Sequence, residues 1–401
     1  MRVLVYTHEF PPFLGGLATS SFKLVKGISE AGLEVAALVP GYSSEDKEID
    51  KTLSSKIIRI PFLGKSLVKK LPFIEYFWGW IFFSLTIAKE KPDIVLFITE
   101  EAEAVGGLFP FFSFKPIARV AGSGITTCFF SKKINKRLLQ FPIRRLYANS
   151  TKIIAVSHST RELLERIGIP RDKITVIYSG VESYMVYQKP NDKNLERLRN
   201  KLGIGERDKI LLTVARVLPR KGQDMVIRAL PKVIAKYPHL KYLVVGEGRY
   251  KAIFRKLAEE EKVGDNVIFT GGVPHEKTID FYDLCDVFIM PNRPWNNKVE
   301  GLPNAFLEAS ARGKPAIAGD HGGSKEAIQH GLTGYLVNPE SIDEIADAIL
   351  VLLSDEEKAR NMGENAKLMV EKSFTEEKMI KNYLKVIKSL TEEDPPARII
   401  I

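Results

Sequence analysis

Short apolar, β-branched runs alternate with amphipathic segments through the first half of the chain. Segments such as 20–31 and 159–167 place apolar residues at helical spacing, and the runs between the helical segments have the length and composition of strands. This alternation predicts parallel strands joined by right-handed helical crossovers. The predicted strands are 3–6, 35–39, 57–60, 94–98, 117–120, 153–156 and 175–177.

The second half repeats this alternation, with predicted strands at 210–215, 242–245, 267–270, 287–290 and 316–318. A chain of 401 residues exceeds what one hydrophobic core usually fills, and its 45% hydrophobic content suffices for two cores. We therefore predict an α/β protein with two facing Rossmann-like, doubly wound domains. The first is expected over 1–186 and the second over 195–373, joined by a polar stretch at 187–194.

Cysteine usage and the start of the chain bear on location. Cys128 and Cys285 are the two cysteines of the sequence. They are too few for a disulfide framework, and without a C-x-x-C pair they disfavour structural zinc. The strand-like residues 2–6 leave no room for a secretory signal before the fold. We therefore expect a cytoplasmic protein.

The longest apolar run and the positive charge both lie in the first half. The run covers residues 76–88, which is 13 residues, whereas a membrane span needs about 20, so a buried or interfacial helix is predicted. The formal net charge is +10; residues 1–183 carry 25 Lys and Arg against 17 Asp and Glu, a net +8, and the remainder carries +2. The basic excess is therefore concentrated in the predicted first domain.

Aromatic and basic residues of this half suggest one possible surface. They are Phe73, Tyr76, Phe77, Trp78 and Trp80, followed by Lys132, Lys133, Lys136, Arg137, Arg144 and Arg145. Together such residues suit peripheral contact with an anionic membrane, here the inner face of the cell membrane. A core helix next to a solvated basic face fits the same pattern equally well. Nucleic acid is disfavoured as a partner because no recognised binding motif accompanies the charge.

Two glutamates flank a turn at 299–310. Glu300 precedes the turn and Glu308 lies eight positions later, inside a probable helix. Gly301 permits close approach of the backbone to a ligand, Pro303 suits a helix start, and the free amides of a first helical turn attract anions. One carboxylate can face a reacting centre while the other accepts hydrogen bonds from hydroxyl groups one unit away. This spacing suits a sugar joined to a ribose through a diphosphate.

Two cations and a glycine pair add to this candidate site. Arg216 and Lys221 follow a predicted strand and are close enough to aim at one pair of phosphates, although alone they would pass for surface cations. Gly15 and Gly16 lie in the loop after the first strand, where bare backbone can meet phosphate or sugar. An ordinary turn before the helix near Ser20 would explain them as well.

Glu300 and Glu308 resemble the E-x7-E signature of the retaining glycosyltransferases of family 4, which have the two-domain GT-B fold. Other segments resemble the same family in the same order over nearly the whole chain. They are Pro11-Pro12-Phe13-Leu14-Gly15-Gly16, Leu212-Thr213-Val214-Ala215-Arg216 with Lys221-Gly222, Val244-Val245-Gly246-Glu247-Gly248, Val267-Ile268-Phe269-Thr270-Gly271 leading to Val273, Gly313-Lys314-Pro315, and Gly322-Gly323 with Glu326.

The resemblance assigns roles to these residues. It implies that Arg216 and Lys221 neutralise the leaving diphosphate in place of a metal, and no D-x-D motif occurs in the sequence. It implies that Glu308 binds the ribose and Glu300 approaches the donor sugar. Further donor contacts are expected from Gly301, Leu302, Pro303, Asn304, Gly246 and Val273, with Gly15 and Gly16 on the acceptor side. A final helix at 374–390 is expected to return to the first domain.

One departure concerns the first domain. Many members carry a His in the loop after the strand that is 117–120 here, whereas this chain has Ala121-Gly122-Ser123-Gly124. Retention in the family is usually explained without an enzyme nucleophile, because the acceptor attacks the face that the diphosphate leaves. The missing His therefore removes one donor contact without removing the proposed chemistry.

These observations predict a metal-independent, retaining glycosyltransferase of the hexosyltransferase type. It would move a sugar from a nucleoside diphosphate sugar to a lipid-linked or glycan acceptor, without a cofactor. The alternatives are a noncatalytic sugar-nucleotide-binding protein and a GT-B glycosyl phosphorylase or sugar-phosphate synthase. Nicotinamide chemistry is disfavoured because Lys251 interrupts the G-x-G-x-x-G pattern that begins at Gly246.

Overall fold

The computed structural model describes residues 1–13, 15–64, 74–110, 113–130 and 137–392. These residues form two units, each with its own parallel sheet. The first comprises Met1–Ser179 together with the described residues from Glu376 onward, and the second comprises Gly180–Thr375. The prediction of an α/β protein with two Rossmann-like domains is confirmed.

The sheet of the first unit contains seven parallel strands within the described residues, in the order β3-β2-β1-β4-β5-β6-β7. Val5 of β1 lies opposite Ala37 of β2 and Leu96 of β4, so the central strands are paired on both sides. The strands are β1 Arg2–Tyr6, β2 Glu34–Pro40, β3 Lys56–Ile60, β4 Ile94–Phe97, β5 Lys115–Val120, β6 Lys152–Ala155 and β7 Ile174–Val176.

Helices connect these strands and cover both faces of the sheet. Ser157 caps the helix after β6 by accepting a 3.0 Å hydrogen bond from the Thr160 backbone amide. The helices are α1 Gly16–Glu30, α2 Asp46–Asp50, α3 Ile74–Glu90, α4 Glu100–Leu108, α5 Ser123–Phe129, α6 Gln140–Asn149 and α7 His158–Arg166, with a 3-10 turn at Arg171–Lys173.

Alternation along β1 divides the first unit's core into two layers. Leu4 and Tyr6 pack on one face of the sheet with α3, α4 and α6, whereas Val3 and Val5 pack on the other. Because both faces are covered, the central strands β1, β4, β5 and β6 are buried along nearly their whole length.

A helix from the far end of the chain completes the second of these layers. Helix α17, Glu376–Glu392, packs against α1 and buries Met379, Tyr383 and Ile387. Gly27 of α1 makes room for it, because a Cβ at Gly27 would lie 2.5 Å from Cγ1 of Ile380. The helix expected at 374–390 thus begins at Glu376 and belongs to the first unit.

The second unit contains a parallel sheet of six strands, ordered β10-β9-β8-β11-β12-β13 among the residues described. Edge strand β13 was not predicted from the sequence, since it is four residues long and begins at a glycine. The strands are β8 Lys209–Val214, β9 Leu240–Val245, β10 Val267–Gly271, β11 Val287–Met290, β12 Ala316–Gly319 and β13 Gly334–Val337.

The helices of the second unit are α8 Ser183–Tyr187, α9 Asp192–Leu202, α10 Gln223–Ile234, α11 Lys251–Glu260, α12 Thr278–Leu284, α13 Asn304–Ala311, α14 Ser324–Ala327, α15 Ile342–Ser354 and α16 Glu356–Ser373. Short 3-10 turns lie at Pro219–Lys221, Gly264–Asn266 and His275–Lys277. The main core of this unit packs α10 and α15 on the sheet.

The boundary between the units differs from the predicted end of the first domain at residue 186. Helix α8 belongs to the second unit because Met185 and Val186 are buried there. Arg312 also donates hydrogen bonds to the carbonyl oxygens of Met185 (2.8 Å) and Gln188 (2.7 Å). The predicted linker at 187–194 is therefore partly ordered, and its end forms the first turn of α9, capped by Asn191.

None of the helices in the described parts of the chain is both long enough and apolar enough to cross a membrane. The apolar run at 76–88 lies inside α3, which has 17 residues.

Candidate active site

Four strands of the second sheet end beside residues that the sequence singled out. Arg216 follows β8, Gly246 follows β9, Glu300 lies in the segment after β11, and the Gly322-Gly323 pair follows β12. Because the strands are parallel neighbours, their carboxyl ends meet at one edge of the sheet. Ligands of open α/β sheets bind at such edges, so this is the candidate donor site.

The loop after β8, which includes a 3-10 turn, carries the cations Arg216, Arg220 and Lys221 at this edge of the sheet. Pro219–Lys221 forms the turn, which leads directly into α10 through Gly222. The Lys221 amide donates to the Leu218 carbonyl at 2.9 Å. Gln223 of α10 donates a 3.1 Å side-chain hydrogen bond to the Arg216 carbonyl oxygen, which ties the strand end to the helix. The loop is thereby fixed at both ends.

Glu300 is ion-paired with two of these cations. One of its oxygens, Oε1, lies 2.9 Å from Nζ of Lys221 and 3.1 Å from Nη1 of Arg220. The three side chains are 10 to 14% exposed, so water screens the pairs little. Burial alone would raise the pKa of the Glu300 carboxyl, but Lys221, Arg220 and then Arg216 outweigh it and lower the pKa to about 2.

The surroundings of Lys221 also lower the pKa of its ammonium group, which for a cation disfavours the charged form. Burial lowers its pKa, and Glu300 only partly offsets this effect. Sequence reasoning missed Arg220. Its distance to Oε1 of Glu300 exceeds that of Lys221 by only 0.2 Å. The only available signal was its position beside Lys221, and adjacency does not reveal which side chains of a tight turn point the same way.

The Gly322-Gly323 pair supports the backbone of Glu300 and Gly301. The Gly323 amide donates to the Glu300 carbonyl at 3.1 Å. A Cβ on Gly323 would lie 1.6 Å from the Gly301 carbonyl oxygen, and one on Gly322 would lie 2.6 Å from the Glu300 oxygen. No side chain fits there, so the glycine pair sets the position of the Glu300 segment.

The turn after Glu300 leads into α13 as predicted, with a small difference. Helix α13 begins at Asn304, and Pro303 is its N-cap in an extended conformation rather than part of its first turn. Gly301, Leu302 and Pro303 are buried and Asn304 is half-buried.

Glu308 lies inside α13 and is 6% exposed. The buried hydroxyl of Tyr282 donates a 2.7 Å hydrogen bond to its Oε2. Burial and the neighbouring Glu308 carboxylate raise the Tyr282 pKa well above its usual range, so the phenol stays protonated and able to donate. This bond fixes one carboxylate oxygen.

Gly246 and Val273 occupy the ends of the two outer strands on this side of the sheet. Gly246 has φ 146°, and its amide donates to the Gly271 carbonyl at 2.8 Å. A Cβ there would lie 2.0 Å from the Ala215 carbonyl oxygen, so the glycine permits β9 to close on the residue before Arg216. Val273 is half-buried, two residues beyond β10.

Comparison with known proteins decides the family. The chain matches the model of Glycosyltransferase Family 4 over residues 14–183 and that of Glycosyl transferases group 1 over residues 194–369. It is 30% identical over 371 residues to the GDP-mannose-dependent alpha-(1-6)-phosphatidylinositol monomannoside mannosyltransferase of Mycobacterium tuberculosis, covering 90% of this chain and 91% of that protein. The chain belongs to the family 4 glycosyltransferases.

Other relatives of this glycosyltransferase are also matched over nearly their full length. The GDP-mannose-dependent monoacylated alpha-(1-6)-phosphatidylinositol monomannoside mannosyltransferase of Corynebacterium glutamicum is 28% identical over 395 residues, which are 97% of this chain and 98% of the relative. The crystal structure of Anabaena HepE with UDP-glucose matches the fold with a TM-score of 0.80 at 18% identity, covering 97% and 100% of the two chains. The predicted family, GT-B fold and hexosyltransferase type of enzyme are confirmed.

In the first unit of this glycosyltransferase, the predicted glycine pair lies at the start of α1. Gly15 is the N-cap, with ordinary extended backbone, and Gly16 is the first helical residue; Leu14 of the same motif lies outside the described residues. Arg59 holds the preceding segment by donating to the carbonyl oxygens of Pro11 (3.0 Å) and Pro40 (2.8 Å). The pair thus lies in a fixed loop at the carboxyl end of β1.

The loop without the family's His lies at the same edge of the first sheet. A Cβ on Gly124 would lie 3.1 Å from Oε2 of Glu100, so a carboxylate faces this loop. Burial, together with Glu100 and Glu75, raises the pKa of the adjacent Glu101 to about 8. Sequence reasoning did not single out these glutamates, because their environment depends on how α3 and α4 pack.

Proposed function

We propose that this glycosyltransferase moves a hexose, with retention of anomeric configuration and without a metal, from a nucleoside diphosphate sugar to a lipid-linked or glycan acceptor. The observation that carries the proposal is the buried group of Arg220, Lys221 and Glu300 at the carboxyl edge of the second sheet. Fixed cations at that position suit a leaving diphosphate, whose charge develops in the transition state.

The donor roles follow the family pattern. Arg216 and Lys221 bind the diphosphate, Glu300 contacts the sugar and Glu308 accepts from the ribose hydroxyls. The Tyr282 hydrogen bond supports this role for Glu308, since it fixes one oxygen and holds the carboxylate in place. The remaining donor contacts are assigned to Gly246, Val273, Gly301, Leu302, Pro303 and Asn304, and the acceptor-side loop to Gly15 and Gly16. Relatives named for GDP-mannose and a fold neighbour bound to UDP-glucose favour a nucleoside diphosphate hexose as donor.

The charges around Glu300 support the proposed retention and metal independence. A carboxyl with a pKa of about 2 is a weak base at neutral pH, so Glu300 is not the group that deprotonates the acceptor. An oxygen of the departing phosphate takes that proton while the acceptor attacks the face that the diphosphate leaves. Arg216 and Lys221 neutralise the diphosphate, which is the part that a divalent metal plays elsewhere.

For the acceptor, we propose a lipid-linked or glycan hydroxyl reached at the inner face of the membrane. The relatives from Mycobacterium and Corynebacterium are named for phosphatidylinositol mannoside acceptors. Phe77 of α3 is 64% exposed, and Phe141 and Leu138 near the start of α6 are 72% and 57% exposed. Exposed apolar side chains on a basic unit favour peripheral contact with an anionic membrane from the cytoplasmic side.

Several side chains of the predicted membrane surface instead make contacts within the first unit. Trp78 and Trp80 pack against the core, and the Trp78 indole donates to the Pro61 carbonyl at 2.8 Å. Arg144 donates to the Ile167 carbonyl, and Arg145 donates to three carbonyls that follow α4 or end it. Phe73, Lys132, Lys133 and Lys136 lie outside the described residues. The proposed contact therefore rests on Phe77, Leu138 and Phe141.

The test is a donor panel that includes GDP-mannose and UDP-glucose, with and without chelator, in the presence of a membrane lipid or glycan extract. We expect release of nucleoside diphosphate from one donor, unaffected by chelator and lost in Lys221→Ala. An α-linked product from an α-linked donor would establish retention. Release that requires a divalent metal would contradict metal independence.

The same experiment separates the alternatives. Donor-induced thermal stabilisation without release, even with the extract, would identify a noncatalytic sugar-nucleotide-binding protein. Transfer to inorganic phosphate or a small sugar phosphate would identify a phosphorylase or a sugar-phosphate synthase.

A further inference from the structure

Glu300 occupies hydrogen-bond donors that the proposed function assigns to another anion. Its carboxylate lies 2.9 Å from Nζ of Lys221 and 3.1 Å from Nη1 of Arg220. A diphosphate bound by Lys221 would bring a second anion to the same buried place, where like charges repel strongly. The diphosphate and the Glu300 carboxylate therefore compete for the same buried cations.

The contacts around Arg220 keep it beside Glu300. Its carbonyl oxygen accepts a 3.0 Å hydrogen bond from the Arg293 amide, and Nη2 of Arg293 lies 2.5 Å from Oδ2 of Asp224 in the first turn of α10. Both arginines are more than nine-tenths buried. These contacts fix the backbone beside Lys221, and Nη1 of Arg220 donates a 3.4 Å hydrogen bond to the Val299 carbonyl oxygen, which holds the guanidinium in the site.

The charges at the site match those of a sugar nucleotide. Arg216, Arg220 and Lys221 act on Glu300 together, which leaves a formal net charge of +2 around the carboxylate. The diphosphate of a sugar nucleotide carries roughly two negative charges at neutral pH. A planar guanidinium also binds phosphate oxygens in a bidentate manner, which an ammonium cannot do.

We propose that Arg220 is a further ligand of the donor diphosphate, and that Glu300 holds Arg220 and Lys221 in place before the donor binds and exchanges with the diphosphate when it does. On exchange, the Glu300 carboxylate leaves the cations and turns to the hydroxyl groups of the donor sugar. This inference rests on the proposed function, because it takes the diphosphate site from it.

The test compares nucleotide binding with transfer in Glu300→Gln. The amide keeps the shape of the side chain but no longer competes for the cations. We expect GDP or UDP, whichever the wild type prefers, to bind about tenfold more tightly to the variant, and the matching monophosphate to change little. Transfer from the nucleotide sugar should fall, since the sugar contact is lost. Titration calorimetry and initial rates measure the two effects.

Arg220→Gln provides the second variant and Glu261→Gln the matched control. Arg220→Gln should weaken nucleoside diphosphate binding about tenfold and leave the monophosphate nearly unchanged. Glu261 also pairs with an arginine, Arg228, at 3.0 Å on the surface, so its removal should change neither. Circular dichroism of each variant shows whether it is folded.

The outcomes separate the inference from the proposed function. Equal or weaker diphosphate binding by folded Glu300→Gln, or equal losses of mono- and diphosphate in Arg220→Gln, would overturn the inference alone. A wild type that binds none of GDP, UDP or their sugars would overturn both.

Discussion

Each unit carries glutamates where its parallel strands end, but their surroundings are opposite. In the second unit Glu300 is surrounded by cations and its pKa falls to about 2. In the first unit Glu101 is half-buried beside Glu100 and Glu75, and burial together with these neighbours raises its pKa to about 8. The same architecture thus holds one carboxyl ionised and another protonated at neutral pH. Burial favours the protonated form of both carboxyls, and the cations around Glu300 reverse that effect there.

The difference suits different ligands. A cationic edge with a permanently ionised carboxylate suits a diphosphate and its sugar, as proposed for the second unit. An edge with a protonated carboxyl among other carboxyl groups offers both a donor and acceptors, which matches hydroxyl groups better than phosphates. The variants below change one edge at a time.

The largest effect is expected from Lys221→Ala. Removing a fixed cation from the leaving diphosphate should lower the transfer rate about 100- to 1000-fold. Lys232→Ala is the matched control, because Lys232 pairs with Asp343 and Asp347 at the surface and has no part in the site. Initial rates at saturating donor measure both. A tenfold or smaller loss in Lys221→Ala would remove that lysine from the leaving-group role.

Glu300→Gln should destabilise the protein near neutral pH by about 3 kcal/mol, because it leaves two buried cations with a neutral partner. The carboxyl's pKa lies below its ordinary value of 4.5, so its contribution is present above pH 4.5 and disappears as the pH falls towards 2. The deficit of the variant should therefore shrink in acid. Urea unfolding at pH 7 and pH 3 measures it, and a deficit equal at both would contradict the ion-pair explanation.

Glu101→Gln should stabilise the protein, whereas Glu300→Gln should destabilise it. The folded-state pKa of about 8 lies above the ordinary 4.5, so ionisation of the unfolded chain costs stability progressively as the pH rises from 4.5 to 8. An amide avoids that cost, and the variant should be more stable than the wild type by about 2 kcal/mol at pH 8 but not at pH 4.5. Thermal unfolding at the two values tests this. Glu90→Gln, which removes the surface partner of Lys56, should show no such gain.

The smallest effect is expected from Tyr282→Phe. It removes the hydrogen bond that fixes Oε2 of Glu308 and leaves the ring in place. Loss of one charge-assisted bond should weaken donor binding about tenfold and leave the rate at saturating donor nearly unchanged. Steady-state kinetics separate the two parameters; a fall in the saturated rate alone would place Glu308 in the chemical step instead of ribose binding.

The periodic pattern of apolar and polar residues was sufficient to predict most of the fold. Strands such as β4 and β11 are continuous apolar runs buried on both faces, which is why the sequence reveals them. Strand β13 escaped because it is short and flanked by turn residues. The linker was predicted from its polar composition, which does not reveal that Arg312 donates hydrogen bonds to the carbonyl oxygens of Met185, just before it, and Gln188, within it.

The site was less accessible to sequence reasoning than the fold. Spacing brought Arg216, Lys221, Glu300 and Glu308 to notice, but not the contact between Glu300 and Arg220. That contact depends on a 3-10 turn and on segments after two different strands, β8 and β11. The pKa of Glu101 likewise depends on helices that meet only in the folded unit. Contacts between segments that are far apart in the sequence produce no periodic pattern in it.

The packing of α17 on α1 also determines the order in which the two units of a nascent chain can complete their cores. The second unit is one continuous stretch, so every residue of its core has been synthesised once Thr375 is made. The first unit begins earlier but lacks Met379, Tyr383 and Ile387 until the second unit has been synthesised. Until then the core that Leu24, Val25 and Ile28 of α1 form with the sheet lacks the residues of α17. On the ribosome, the first unit to be translated is therefore the last to complete its core.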